Sequence, residues 1–404
     1  MRSDFKILSS ILLSLILLSG CSMYQANVKS TQIQRAQEEI PEEQLMDVGI
    51  FTFDSEEIPE KEAEEEGTSN EIRKAEGNYM PYHLKNTLHQ TSHWGAVQVI
   101  PGETNSMDVF VRGKIKESNG EHLTLEIEVN DATGKRWLSK KYKMEATSKS
   151  YSGNRPGEKD AFQDLYNSIA NDMADYKKKL SAADIKTIRT TSKLKFAADL
   201  APDAFQGYLD TQKNKSKIKR LPSDDDPMMA RLLKIREREY MYVDTLNEQY
   251  NAFYNDMWDS YENWRRLNRT ERVAMREIKR RALTQQLLGA LMIAGAIAAG
   301  SNNSSTMTAV QAGLIVAGTQ VIINGFNVSK EAEIHEAAIQ ELGESFSGEM
   351  KPVVMEFEGR QYKLTGSAEE QFAQWRALLR KIYYAETGFE PDPTQNTVNS
   401  ESAE

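Results

Sequence analysis

The sequence predicts an α+β fold, and three patterns predict it. Val109, Val111 and Ile115 alternate with polar residues up to Asn119-Gly120, after which Leu123, Leu125, Ile127 and Val129 alternate again. A period of two on both sides of an Asn-Gly turn describes a β-hairpin with one apolar face. Phe162, Leu165, Tyr166, Ile169, Met173 and Tyr176 recur at three and four residues, the stripe of a helix able to cover that face. From Met228 to Leu288 the chain has neither Pro nor Gly, and Leu232, Ile235, Tyr242, Leu246, Tyr250, Phe253, Met257, Tyr261, Trp264 and Leu267 keep helical spacing. Strands clustered first and helices afterwards give helices packed on one sheet.

In chain order, Val48 to Phe53 is an apolar, β-branched and aromatic run that reads as a strand, and an acidic loop extends to about Asn70. Pro81 can open a helix whose Leu84 and Leu88 share a face. Ala96 to Ile100 reads as a second strand, stopped by Pro101-Gly102. The hairpin follows, then Asp131 to Gly134 turn the chain into a further strand around Trp137 to Met144. Residues 182–221 read as helical, with a basic run from Lys213 to Arg220. Asp224, Asp225 and Asp226 ahead of Pro227 supply acidic caps and a proline at the first helical position. An unbroken helix from there would extend roughly 90 Å, so it must bend back, pair with another helix or project. Its aromatics between Tyr240 and Trp264 suit either a helix core or a belt at a membrane interface. Lys330 to about Leu342 is a further helix, and Val353 to Phe357 with Tyr362 to Leu364 form a hairpin around Glu358-Gly359. Ser367 to Glu370 is a capping box for a helix carrying Phe372, Trp375, Leu378, Leu379 and Ile382, with Gly388 past its end.

The single cysteine, Cys21, follows an apolar run from Ile7 to Leu18 that Arg2 and Lys6 precede, the form of a secretory signal peptide. Leu18-Ser19-Gly20-Cys21 resembles the lipobox of bacterial lipoproteins. The resemblance implies cleavage before Cys21 and its diacylation. With Ser22 rather than Asp next, it also implies sorting to the outer membrane of a Gram-negative cell, facing the periplasm. One thiol excludes an intrachain disulfide and a cysteine metal site. The organisation expected is a signal peptide at 1–20, a lipidated tether at 21–46, an α+β periplasmic domain at 47–178 and a helical region at 179–281. An uncharged helical hairpin at 282–329, an α-β-β-α unit at 330–388 and a disordered tail at 389–404 complete it.

Charge is distributed unevenly. The net charge of -10 argues against nucleic acid as a partner, and residues 56 to 66 hold seven Glu. Arg265 to Arg281 hold eight basic and two acidic residues. Arg265, Arg266, Arg269, Arg272, Arg276, Lys279, Arg280 and Arg281 read either as a solvated helix face or as a basic collar on anionic headgroups. Directly after them, Ala282 to Ser329 contain no charge in a chain that is 27% charged. Gly289, Ala290, Ala294, Gly295 and Ala298, and again Ala309, Gly313 and Ala317, place small residues where helices approach closely. This hairpin would enter a membrane, hold a homo-oligomer, or pack within the protein's own core.

Motifs for chemistry are sparse. His89 and His93 are four apart, yet no third ligand accompanies them, and they read as surface histidines. Gly343 to Ser347 lacks the final Gly of a nucleophile elbow. Ser192-Lys193-Leu194-Lys195 and Ser216-Lys217-Ile218-Lys219 match a Ser-x-x-Lys pattern with no Lys-Thr-Gly anywhere. No cofactor is expected. At Val48 to Phe53, Met80 to Leu88 and Val109 to Val129 the chain resembles small periplasmic domains of the curli-secretion lipoprotein and TolB-type envelope proteins. That resemblance implies a binding or assembly module rather than an enzyme, with the membrane and an envelope protein as partners. An oligomeric pore or scaffold, and an enzyme acting on cell wall or lipid, stand as alternatives.

Overall fold

One mixed sheet organises the fold, with parallel pairing on one side and antiparallel pairing on the other. The computed structural model describes residues 30–152, 159–298, 333–348, 350–357 and 360–388, with only the backbone course for 64–66, 279, 281–298 and 357. Strands β1 (Val48–Phe51), β3 (Val97–Ile100), β4 (Val109–Ser118), β5 (His122–Asp131) and β6 (Arg136–Glu145) lie in the spatial order β3-β1-β4-β5-β6, and β2 (Asp54–Ser55) continues alongside β4. β1 runs parallel to both neighbours, with Ile50 beside Val99 and Val111. The β4–β5–β6 meander is antiparallel, as the Asn119-Gly120 turn requires. An α+β fold is what the alternation predicted.

The acidic stretch expected as a loop contains a short helix, α1 (Glu60–Glu66). The next helix, α2 (Asn70–His89), starts eleven residues before the proline expected to open it and runs through Pro81. Ser69 caps it, accepting from the Ile72 N–H. Pro81 has no N–H for the carbonyl of Gly77 four residues back. The Phe53 N–H donates to that carbonyl instead, at 2.8 Å, so the chain entering β2 fills the gap the proline leaves. α3 (Gln163–Lys177) lies on the core face of the meander as its stripe predicted, burying Leu165, Tyr166, Ile169 and Met173. After α4 (Ala182–Leu200) and a single turn, α5 (Pro202–Phe205), the helix expected to reach 221 is replaced by a hairpin. Its strands are β7 (Leu209–Gln212) and β8 (Lys215–Ile218), turning through Lys213 and Asn214 at positive φ. Asn tolerates that conformation, and the basic run around it supplies no apolar stripe for a helix to bury.

α6 (Pro227–Ala298) is one helix of 72 residues, roughly 108 Å at the standard rise. Asp226 opens it, its Oδ1 accepting from the N–H groups of Met228 and Met229 at 2.9 and 3.1 Å. All ten residues of the predicted stripe are at most 5% exposed, so the aromatics belong to the protein's core and the membrane-belt alternative is corrected. Leu232 to Tyr250 join one apolar cluster with α4 and α8 (Ala368–Thr387); Phe253 to Trp264 join the other, with α2, α3 and the sheet. Each buried large side chain contributes about 1.5–3 kcal/mol of gross stabilisation, which explains why so long a helix stays seated.

A helix at 333–348 (α7) lays Ile339 into the second cluster and stacks Phe346 on Phe253 at 4.4 Å. β9 (Val353–Phe357) and β10 (Arg360–Leu364) form the expected hairpin. α8 shows the expected capping box, with Glu370 N–H bonded to Ser367 Oγ, and ends on Gly388 at φ 71°. Trp375 stacks on Tyr242 of α6 at 5.2 Å. The expected boundaries at 178 and 330 thus lie inside one compact unit, Gln32–Glu404. Residues 32–46 are not a free tether either. Gln34 N–H bonds Asn171 Oδ1 at 2.8 Å, Arg189 bonds the Glu42 carbonyl at 2.6 Å, and Met46 is fully buried. Among the described residues no helix is long and apolar enough to cross a membrane.

Candidate functional site

The two faces of the sheet meet different fates, because helices cover one face throughout and the other only over β1 and β3. Side chains of β4, β5 and β6 that point away from α2 and α3 stand on an open face. Register places Asp54, Lys114, Glu126 and Lys141 side by side on four adjacent strands, with signs alternating across the row. Lys114 bridges Asp54 at 3.5 Å, Lys141 bridges Glu126 at 3.1 Å, Arg136 bridges Glu128 at 3.4 Å and Lys143 bridges Glu117 at 3.6 Å. Hydrogen bonds from Lys114 and then Lys116 hold the Glu56 carboxyl below its ordinary value. Arg112 lies 3.8 Å over the Phe51 ring. Asp54, Arg112, Lys114, Glu126, Glu128 and Ser139 line an open depression of about 570 Å³ on this face. Exposed pairs of this kind add little stability each, so the row is available for exchange with charges of a partner.

The sheet's two edges also differ. At β3 the side chain of Asn247 on α6 acts as a neighbouring strand: Oδ1 accepts from Val99 N–H at 2.9 Å and Nδ2 donates to Val99 O at 2.8 Å. Gln98 reaches Asp244 of the same helix at 2.6 Å. At β6 the backbone edge faces outward, and Arg136, Ser139, Lys140, Lys141, Lys143 and Glu145 are exposed. Among the described residues nothing bonds to that outward edge. Its inner face is fixed by Asp172 of α3, which accepts from Lys140 Nζ at 2.7 Å and Tyr142 OH at 2.6 Å.

A buried polar network that no motif announced fastens α6 to the sheet. Arg265 makes a two-point pair with Asp160, Nη1–Oδ1 at 3.2 Å and Nη2–Oδ2 at 2.6 Å, with its guanidinium 4.1 Å over the Tyr261 ring. Tyr261 OH and Ser118 Oγ both donate to Glu76 Oε1, at 2.6 and 2.5 Å. His83 lies between Tyr254 OH at 2.7 Å and Gln163 Oε1 at 2.9 Å. Burial raises the Glu76 carboxyl and lowers the His83 imidazole, in each case disfavouring the charged form. Glu76, His83, Asp160, Tyr261 and Arg265 are all at most 5% exposed, so the network joins elements rather than meeting a substrate. Its sequence signal was faint: Asp160 and Arg265 are 105 residues apart, and only spacing on α6 places Arg265 next to the aromatic stripe.

The expected basic collar is largely a clamp. Arg265 is 1% exposed and cannot face headgroups; its charge is spent on Asp160. Arg269 Nε donates to the Ala146 carbonyl at 2.8 Å, and Arg266 bonds Asn263 on its own helix at 3.1 Å. Arg276 and Arg272 converge on the buried carboxylate of Glu121. Burial works against that charge, but Arg276 outweighs it and holds the Glu121 carboxyl low. Arg280 is exposed on the helix, while the side chains of Lys279 and Arg281 lie outside the described residues. Gly289, Ala290, Ala294, Gly295 and Ala298 belong to the backbone of α6; Ala309, Gly313, Ala317 and Cys21 lie outside the described residues.

His93 is buried rather than on the surface, under the Lys177 ammonium that bonds its carbonyl; burial pushes that ammonium down to about 8. His89 is exposed, one turn away, and the pair does not meet. Ser192 is fully buried and takes a hydrogen bond from Arg236 at 2.9 Å. Glu121, His122 and Glu145 bring ligand atoms within 4.8 Å of one another, but Arg276 and Arg272 occupy the Glu121 carboxylate that a cation would need. No family model matches this chain, and neither a curated protein nor a solved structure matches it.

Proposed function

We propose that this chain is an outer-membrane lipoprotein, held through Cys21 and facing the periplasm, that acts without enzymatic chemistry as a binding and assembly component of a Gram-negative envelope. The observation that carries the reading is α6. Leu232 to Tyr250 are seated in one apolar cluster and Phe253 to Trp264 in the other, and the last turns continue the same helix into the uncharged stretch. A helix seated in this way passes any force on 282–298 to the body, as an assembly factor requires and as an anchor alone does not. Open, charge-paired surface on the sheet suits a protein partner, since exposed ion pairs exchange readily with those of a second surface. The resemblance of Leu18 to Cys21 to a lipobox supports the location.

The test is labelling of cells with radioactive palmitate followed by density-gradient separation of membranes. Label in the wild type, none in Cys21→Ser, and sedimentation with outer membranes support the reading; an unlabelled soluble wild type overturns it. A second reading, a homo-oligomer held through 282–329, is favoured by Met275 and Ile278, which are 52% and 38% exposed on α6 just before that stretch. Mass measurement by light scattering in mild detergent separates the two, since a strictly monomeric protein removes the oligomer.

A further inference from the structure

We infer that β6 is a docking edge for an extended, acidic segment of a partner protein, which joins the sheet as a further strand. This rests on the binding reading above and names the chemistry of what is bound. One edge of the sheet is sealed by Asn247, whose amide substitutes for a neighbouring strand at Val99. The other, ten residues long, presents its backbone outward, and its only irregularity lies at the far end, where Val129 gives way to Asn130 on β5. Unpaired edges of this length bind strands, because each added residue gains ladder hydrogen bonds.

Charge selects the strand. Across the open face the rows alternate: acidic at Asp54, basic at Lys114, acidic at Glu126, basic at Lys141. On the same outer row Lys143, facing Thr124, reaches across β5 to Glu117, and Arg136, facing Asn130, reaches diagonally to Glu128; Glu145 at the end of the strand is the one acidic residue in the row. A strand added beyond β6 meets this basic row at cross-strand distance, where opposite charges stabilise and like charges repel. Acidic side chains continue the alternation. A second copy docking antiparallel through its own β6 about Tyr142, the centre that pairs most of the strand's basic half, would set Lys141 against Lys143, so self-pairing there is disfavoured. On the other face of β6, Leu138 and Met144 are half-buried apolar residues, so the incoming strand alternates acidic with apolar positions.

The experiment uses the full chain in detergent and four fluorescent decapeptides: alternating Glu and Val, alternating Lys and Val, and the Glu peptide N-methylated at alternate residues in each of the two registers. The Glu peptide binds at least about tenfold more tightly than the Lys peptide and weakens about tenfold from 50 to 300 mM salt. N-methylation in one register abolishes binding and in the other has little effect, because alternate N–H groups of a strand face its neighbour. The double variant Lys141→Glu with Lys143→Glu reverses the preference; it lowers the melting temperature by a few degrees, since Glu126 and Glu117 lose their partners, and keeps the wild-type far-ultraviolet circular dichroism. Lack of Glu-peptide binding at millimolar concentration, equal binding of both charges, or equal effects of the two methylation registers overturns the inference. The first of these outcomes means that the lysines only guard the edge; it leaves the envelope-binding reading to the palmitate test.

Discussion

Arg265 on α6 and Asp160, just ahead of α3, face each other in a buried two-point ion pair, with Nη2–Oδ2 at 2.6 Å. Asp160 also accepts from the Phe162 N–H at 2.8 Å, so the carboxylate is oriented from its own side of the pair as well. Removing one partner leaves a buried, uncompensated charge. Asp160→Ala and Arg265→Ala are each expected to lose about 3–5 kcal/mol in urea unfolding, whereas the pair Asp160→Leu with Arg265→Met loses markedly less. Equal losses for single and double variants would contradict a paired role.

Two buried groups beside that pair set opposite pH limbs. Glu76 has its carboxyl raised by burial, against Arg73, Ser118 and Tyr261, so the stability it contributes is complete below its ordinary value of 4.5 and is lost as pH rises through its folded value. His83 is lowered by burial, so its contribution is present above 6.5 and is lost as pH falls through its folded value. Glu76→Gln therefore flattens the melting-temperature profile on the rising side, and His83→Gln flattens it on the acid side. Profiles of both variants parallel to the wild type would refute the assignment.

Gly77 and Pro81 form a matched pair on α2. A Cβ at Gly77 would lie 2.9 Å from the Phe53 carbonyl oxygen, a backbone atom that cannot step aside. Gly77→Ala is expected to cost about 1–3 kcal/mol in denaturant unfolding, as overpacking does. Pro81→Ala should change stability by less than about 1 kcal/mol, because Phe53 already satisfies the carbonyl that an interior proline usually strands. A gain of about 3 kcal/mol would show that the helix is strained there.

Patterns confined to a few neighbouring residues were legible in the sequence. The Asn119-Gly120 hairpin, the Asp226 and Ser367 caps, Gly388 and the stripe on α6 each need only local spacing, and each forms. What was hidden depends on distant chain. Pro81 inside α2 is tolerated because Phe53 lies alongside, and β1 sits between β3 and β4 through parallel pairing of Val48 with Val97 and Val109, far along the chain. Arg265 stands in a basic run that reads as a solvated face or a headgroup collar, and nothing near it in sequence announces Asp160. The open face was half visible: the alternation of β4 and β5 fixed which side chains leave the core, while the row from Asp54 to Lys141 required the register.

Photo-crosslinking from Ser139 in living cells is the sharpest test of the proposal that a partner is held on the open side of the sheet. Ser139 is exposed on β6 and lines the open depression, whereas His89 is exposed at the end of α2 and serves as the control. A discrete adduct is expected from position 139, none from position 89, and loss of the adduct when Lys141 and Lys143 are both changed to Glu. Adducts of equal yield from both positions, or an adduct indifferent to that charge reversal, would contradict the proposal.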